Sequence, residues 1–234
     1  MNRMKAKAFF VTGTDTDVGK TTIAAGLLVA ANRRGLSTAA IKPIASGCER
    51  TPDGLRNADA LALQRAMSLP LSYEEINPIA LEPAIAPHIA AEQAGVRVSA
   101  MQLAGICRGV LMQRADLTLI EGAGGWRVPL NQRELLSQLP KLLGLPVIMV
   151  VGMRLGCINH ALLTAEAIAR DGLHLAGWVA NSGAAAMPHL DENIVAIRGY
   201  LRAPCLGEIP HLPAPEPETV ANYLNCEPLI APPV

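Results

Sequence analysis

The stretch Gly13-Thr14-Asp15-Thr16-Asp17-Val18-Gly19-Lys20-Thr21-Thr22 leaves this chain little freedom of architecture. It follows the apolar run Ala8-Phe9-Phe10-Val11 and opens the Ala-rich segment Ile23 to Ala31. Strand, glycine-bounded loop, Lys-Thr and helix, in that order, make the arrangement that cradles a nucleoside triphosphate. Small residues let backbone N–H groups approach the phosphates, and the following helix turns its partially positive end toward them. Lys20 can reach the terminal phosphates, and the Thr21 hydroxyl can ligate Mg²⁺. The general pattern has about four residues between its first Gly and Gly-Lys, whereas five separate Gly13 from Gly19. A plain strand-to-helix turn could also contain Gly-Lys-Thr, but the flanking strand and helix favour the phosphate loop.

The rest of the chain keeps alternating apolar, β-branched runs with longer helical patterns. Strands are expected at Ala8–Thr12, Thr38–Lys42, Leu117–Glu121, Val147–Val151 and Gly177–Asn181, with a short one near Cys205–Leu206. Helices are expected at Thr21–Arg34, Ala58–Met67, Ala100–Arg114, Glu134–Leu143, Asn159–Asp171 and Asp191–Leu201. A continuous apolar run such as Val147-Ile148-Met149-Val150-Val151 fits a strand buried on both faces, hence a mostly parallel sheet covered by helices. The expected fold is a single-domain, doubly wound α/β structure of P-loop NTPase type spanning residues 1–234. Pro78 to Pro87 and Pro210 to Pro217 read as proline-punctuated loops, and Pro228 to Val234 as a mobile tail.

Composition narrows the function classes. Half of the 234 residues are hydrophobic, Lys+Arg and Asp+Glu balance at 20 each, and aromatics make up 3%. That balance offers neither the clustered basic charge nor the aromatic platforms of a nucleic-acid partner. Cys48, Cys107, Cys157, Cys205 and Cys226 are widely spaced, without a CxxC pair, as in a reducing compartment. The basic start, Met1 to Lys7, precedes too short an apolar run for a signal peptide, and Leu145 to Val151 is too short to span a membrane. The expectation is a cytoplasmic protein with no membrane contact.

Ligands in doubly wound folds sit beyond the carboxyl ends of the strands, which selects Gly13–Lys20, Pro43–Gly47, Gly122–Pro129, Gly152–Asn159 and Ser182–Ala186. Lys42 ends the second strand. Beside bound phosphates it would supply charge where a transferring phosphoryl group becomes more anionic, though a Lys simply capping a strand is an equal reading. Asp59, in a first helical turn, is structural by default. Glu121 ends a buried strand before Gly122-Ala123-Gly124-Gly125 and resembles the second acidic position of nucleotide triphosphatases. Thr21, Asp59 and Glu121 together make a chemically sensible Mg²⁺ set. Asn181, at the end of the fifth strand, can donate to and accept from an adenine edge, or serve a turn. His88, His160 and Cys48 carry no assigned role.

The phosphate loop closely resembles that of dethiobiotin synthetases, where the longer glycine spacing is usual. The resemblance runs through Lys42-Pro43-Ile44-Ala45-Ser46-Gly47, Gly54-Leu55-Arg56-Asn57-Ala58-Asp59, Pro87-His88-Ile89 and Glu121-Gly122-Ala123-Gly124-Gly125-Trp126. It continues in Leu155-Gly156-Cys157-Ile158-Asn159-His160, Gly177-Trp178-Val179-Ala180-Asn181 and Gly207-Glu208-Ile209-Pro210. These matches stay in order over most of the chain. The resemblance implies an ATP- and Mg²⁺-dependent cyclo-ligase of biotin synthesis, forming dethiobiotin from 7,8-diaminopelargonate and carbon dioxide (or bicarbonate). A carbamate and a carbamic–phosphoric anhydride are the implied intermediates. It further implies Lys20 and Lys42 as catalytic residues and Thr21, Asp59 and Glu121 as Mg²⁺ ligands. The implied ATP site comprises Asp17, Val18, Gly19, Lys20, Thr21, Thr22, Asp59, Glu121, Gly122, Ala123, Gly124, Asn181, Ser182, Ile209, Pro210, His211 and Glu216. The implied substrate site comprises Thr16, Lys42, Ser46, Gly124, Leu155, Gly156, Cys157, Ile158 and Asn159. A homodimer is implied, with Gly156 to Asn159 of one protomer receiving the carboxylate tail of substrate bound to the other.

Rival readings are an ATPase switch of the partitioning or cell-division type, a cobyrinic-acid-type amidotransferase, and a nucleotide-binding module without turnover. The switch typically carries an extra Lys early in its loop, where this chain has Thr14, Asp15 and Thr16. The amidotransferase needs a glutaminase domain, for which no cysteine context is evident. Lys20 and Lys42 together argue against the silent module.

Overall fold

A computed structural model describes residues 7–183 and 187–230. Six parallel strands form the central sheet: β1 (Lys7–Gly13), β2 (Thr38–Ile41), β7 (Leu117–Glu121), β8 (Val147–Gly152), β9 (Leu175–Asn181) and β10 (Cys205–Ile209). Their order across the sheet is β10-β9-β8-β1-β7-β2. Register sets Phe10 beside both Ile120 and Val147, so β1 is central and its end, Gly13, lies between the ends of β7 and β8. The chain runs from β1 through α1 (Lys20–Asn32) to β2, then returns to insert β7 between them. The crossing leaves room beyond the strand ends at β1 and β7, where the phosphate loop and Glu121 sit.

The apolar runs are continuous because the sheet has two covered faces. Along β8, Ile148 and Val150 join the larger core, with α1 residues such as Ile23 and Leu27. Met149 and Val151 join a second core with Trp178, Ala161 of α7 (Cys157–Arg170), and Ile194 and Ile197 of α8 (Leu190–Tyr200). Alternate side chains thus point to opposite layers, and each buried Ile, Val or Leu contributes about 1.5–3 kcal/mol of transfer free energy. Ala-rich α1 packs tightly enough that Ala24, Ala25 and Ala31 are buried.

Most expected elements form, with informative differences. The helix expected over Glu134–Leu143 is present only as α6 (Gln138–Leu143). The preceding residues are taken by an Asn131 turn, whose Oδ1 accepts from the N–H groups of Arg133 and Glu134, and by a Pro129–Leu135 bridge. β10 extends to Ile209, and α7 begins at Cys157. Two small sheets had no place in the sequence reading. One pairs β3 (Ile44–Ser46) with β6 (Ile79–Leu81), inside the expected Pro78–Pro87 loop; the other is a hairpin of β4 (Glu49–Thr51) and β5 (Gly54–Arg56). The same stretch of chain also holds α2 (Ala58–Ala66), α3 (Tyr73–Ile76), α4 (Pro87–Gln93) and α5 (Ala100–Leu111). The expected mobile tail is ordered at its start: Pro228, Leu229 and Ile230 belong to α10 (Glu227–Ile230), and Leu229 is buried. Residues 231–234 of that tail, residues 1–6 of the basic start and residues 184–186 of the last strand exit lie outside the described residues. Before α10, α9 (Pro217–Val220) packs on α1. Among the described residues no helix is long and apolar enough to cross a membrane.

The segment after α9 lies tight against β10: a Cβ on Gly207 would fall 2.4 Å from the Tyr223 carbonyl oxygen. Backbone cannot yield as a flexible side chain can. Gly207→Ala should therefore cost about 1–3 kcal/mol in urea unfolding. Gly105→Ala, on the open face of α5 with nothing within 4 Å, should gain about 0.5–1 kcal/mol.

Candidate functional site

The phosphate loop closes on itself between β1 and α1. Asp17 takes a left-handed conformation, φ +56°, which Asp tolerates better than most residues. Gly19 follows at φ +87°, and a Cβ there would fall 2.2 Å from Asn181 Nδ2, so only glycine fits. Asn181, ending β9, donates that amide to the Val18 carbonyl at 2.9 Å. The residue expected at the adenine edge is thus also a brace for the loop. Buried Lys20 donates to the Asp15 carbonyl at 3.1 Å.

Lys42 follows β2 immediately, and its buried ammonium lies 2.5 Å from Glu121 Oε1 and 2.9 Å from Asp59 Oδ2. Thr21 donates its hydroxyl to the same Glu121 Oε1 at 2.7 Å. The ends of two strands and the starts of two helices therefore bring Thr21, Lys42, Asp59 and Glu121 together. Burial by itself would lower the Lys42 pKa. The Glu121 and Asp59 charges outweigh it and hold the ammonium above the ordinary lysine value. Lys20 moves the opposite way, lowered first by burial and then by the Lys42 charge. At Asp59 burial favours the neutral acid, but the charge and hydrogen bond of Lys42 prevail, lowering its carboxyl below the usual range.

This donor set fits Mg²⁺. Glu121 Oε2 is buried without a hydrogen-bond partner, an expense that a hard cation would offset. A hydroxyl and two carboxylates, with further oxygens from phosphate and water, are the ligands Mg²⁺ takes.

Two cavities flank Thr22. One, of about 280 Å³, is lined by Asp17, Gly19, Asn181, Ser182, Ile209, Pro210 and His211, so the residues expected at the adenine converge there. His211 is hydrogen-bonded to the Gly183 carbonyl. The other, of about 420 Å³, lies between α1, α2 and residues 214–218. It contains Glu216, together with Thr21, Asp59 and Arg65, and adjoins the first cavity through Thr22 and Pro215, which line both. Gly122 and Ala123 follow Glu121 beside Lys42, whose ammonium also approaches the Gly122 carbonyl at 3.4 Å. Gly124 faces Thr16, with 3.6 Å between a Cβ there and the Thr16 hydroxyl. Ser46 ends β3, and its carbonyl accepts from the Asn57 amide at 3.4 Å.

The segment Leu155, Gly156, Cys157, Ile158, Asn159 opens α7, with Gly156 as its left-handed cap. The Cys157 side chain is buried and its backbone N–H donates to the Arg154 carbonyl at 2.9 Å, while Leu155 is 94% exposed. Arg154 pairs with Asp15 and so ties this turn to the phosphate loop. Sequence reasoning passed over Arg154, and also Asn57, whose side chain caps α2 by accepting from the Asp59 and Ala60 N–H groups. An Asn directly before a helical pattern is the signal that would have found the cap. Cys48 is buried, and burial raises its thiol; Cys107 is pushed up to about 12 by burial. Neither has the character of a nucleophile.

Solved structures with the same chain path include the MinC:MinD cell division complex of Aquifex aeolicus, with a TM-score of 0.56 at 16% identity over 89% of this chain and 82% of that one. A ParA family ATPase of Chlorobium tepidum gives 0.55 at 12% identity over 94% and 91%. At such identities the likeness concerns the fold alone, which with the loop between β1 and α1 defines a P-loop NTPase. A family model described as an AAA domain matches residues 7–219. ATP-dependent dethiobiotin synthetase BioD of Pseudomonas paraeruginosa is 64% identical over 95% of this chain and 97% of its own length. The Cellvibrio japonicus protein of that name is 60% identical over 97% and 99%. The chain belongs to the ATP-dependent dethiobiotin synthetase family.

The lowered Asp59 carboxyl sets an acid dependence. Its folded value lies below the ordinary 3.8, so the stability it contributes is present above that pH and lost as pH falls through the folded value. Asp59→Asn should lower stability at neutral pH and flatten the acid decline that sets in around and below the ordinary 3.8, as read by urea unfolding at acid pH. An unchanged acid slope would mean the Lys42–Asp59 pair does not form in solution.

Proposed function

We propose that the protein is an ATP-dependent cyclo-ligase that closes the urea ring of dethiobiotin from 7,8-diaminopelargonate and carbon dioxide, in biotin synthesis. The observation that supports it most directly is the Lys42 ammonium at the end of β2, beside Glu121 and Asp59 and one helix end from the phosphate loop. A switch protein needs phosphate binding. A carbamate kinase-like ligase also needs a fixed cation beside the γ-phosphate, where an anionic acceptor must approach another anion.

The steps balance as follows. One substrate amine attacks carbon dioxide and loses a proton, giving a carbamate. The carbamate oxygen attacks the γ-phosphorus, and ADP leaves. The second amine attacks the carbonyl carbon of the resulting carbamic–phosphoric anhydride, loses its proton and expels inorganic phosphate. A carbamate oxygen is a poor leaving group until it carries phosphate, so ATP is required before ring closure. Lys42 holds the carbamate and lowers the repulsion between it and the γ-phosphate. Its raised pKa keeps it an ammonium throughout neutral pH, which suits electrostatic stabilisation and not proton abstraction. Lys20 and the N–H groups from Asp17 to Thr22 hold the phosphates. Thr21, Asp59 and Glu121 would hold Mg²⁺, which supplies charge neutralisation on the phosphate oxygens.

Asn181, Ser182, Ile209, Pro210 and His211 would frame the adenine, with Glu216 reaching the nucleotide from the neighbouring cavity. Thr16, Ser46 and Gly124 would position the diamine end. The enzyme would act in the cytoplasm as a homodimer. The α7 N-terminus at Gly156 to Asn159 would receive the substrate carboxylate of the other protomer, and exposed Leu155 would be covered there.

ATP consumption should require diaminopelargonate and bicarbonate together. Steady hydrolysis with neither would favour the switch. Lys42→Ala should leave nucleotide affinity within a few-fold while nearly abolishing turnover, because its charge is used chiefly in the transition state. Lys20→Ala should weaken nucleotide binding itself. Titration of ADP and of a non-hydrolysable ATP analogue into both variants separates the two outcomes.

A further inference from the structure

Lys42 and Asp59 stand on separate segments, and the same small polar group holds both. The backbone of Lys42 lies just beyond β2 and bonds outside the main sheet: its N–H donates to the Ile76 carbonyl at 2.7 Å, and its carbonyl accepts from Asn77 Nδ2 at 2.7 Å. Asn77 Oδ1 in turn accepts from the Tyr73 hydroxyl at 3.0 Å. That hydroxyl accepts from the Asn57 N–H at 2.6 Å. Asn57 is the cap of α2, and its side chain receives the N–H of Asp59 itself. From Asp59 the carboxylate returns to the Lys42 ammonium at 2.9 Å. The ring of contacts is closed, and Tyr73, Asn77 and Asn57 are all buried.

We infer that Tyr73 and Asn77 are positioning residues that set the gap between the Lys42 ammonium and the Asp59 carboxylate. Tyr73 is well suited to the task. α3 is fixed by a capping box between Ser72 and Glu75, and the Arg56 guanidinium lies 4.1 Å over the Tyr73 ring. The hydroxyl is therefore held from its own helix and from its ring face while bridging the two segments. The Asn77–Lys42, Tyr73–Asn77 and Asn57–Tyr73 hydrogen bonds are buried, so the loss of one of these leaves unsatisfied groups. Neither residue hydrogen-bonds to the phosphate loop, so the loop's own hold on the phosphates is left intact. The effect on turnover rests on the proposed ligase activity, whereas the effect on the Lys42 ammonium does not.

Tyr73→Phe removes only the hydroxyl. It should lower kcat about tenfold, as a sub-ångström displacement of a charged group can, with the KM for ATP unchanged. In protein carrying ¹⁵N-lysine, the wild-type Lys42 ammonium, identified by its loss in Lys42→Ala, should exchange its protons slowly. That exchange should quicken several-fold in Tyr73→Phe. Asn77→Leu, an isosteric change on the Lys42 side of the bridge, should reproduce both effects, and serves if Tyr73→Phe folds poorly by thermal denaturation. Unchanged kcat and unchanged exchange in a folded variant would overturn the inference, even if its melting temperature fell. A wild-type Lys42 ammonium exchanging as fast as surface lysines would overturn it as well. Absence of dethiobiotin synthesis in the wild type would instead defeat the ligase reading, and the exchange measurement alone would then decide the role of Tyr73.

Discussion

The ammonium of Lys42 enclosed between Glu121 and Asp59 is the interaction on which this site turns. Moving a lone charge out of water costs several kcal/mol even after relaxation, and Lys42 is buried to 4% exposure. Two carboxylates offset that cost and keep the proton on. Well-packed hydrophobic residues would stabilise the fold at least as effectively, so stability alone does not account for the cluster. A fixed cation beside a phosphate loop has a chemical use: it meets developing negative charge without having to reorganise.

The sheet makes this cluster possible. Because β7 returns between β1 and β2, Glu121 and Lys42 emerge from adjacent strands at the same edge as the phosphate loop. The α1 N-terminus then supplies Thr21 from the other side. Packing holds the arrangement through both layers of core, and the Trp126 indole adds a further tie by donating to Asp171 at 2.9 Å while its ring meets Phe10 edge-on.

Much of this was legible in the sequence. Strand positions followed from continuous apolar runs, and the strand-end rule then located Lys42, Glu121 and Asn181 before any coordinates. The Lys42 reading was evenly divided, because nothing local to Lys42-Pro43 reveals which carboxylates it will meet. Those partners lie 17 and 79 residues away. The three-residue strands β3 to β6 were illegible for a related reason. Segments so short carry too little periodicity to register, and pairing with distant chain decides their form. The Tyr73–Asn77 bridge was missed likewise: Tyr73 looks like an ordinary buried aromatic until the topology sets Asn57 against it. Asn57 was different, since its cap signal was local and simply went unread.

The close fit of Gly207 beneath the Tyr223 carbonyl has a bearing on solubility. β10 borders the sheet, and a bordering strand with free amide and carbonyl groups is a template for strand addition by a neighbouring molecule. Here the Gly207–Leu224 bridge and the Asn225 N–H to the Leu206 carbonyl occupy that margin. At the opposite margin, the Ser68 and Leu69 N–H groups bond to the Thr38 carbonyl of β2. Both rims are thus sealed by the chain's own later segments. During synthesis the β10 rim is open only from the emergence of Ile209 until the residues around position 224 follow, so the strand most in need of cover is covered soon after it appears.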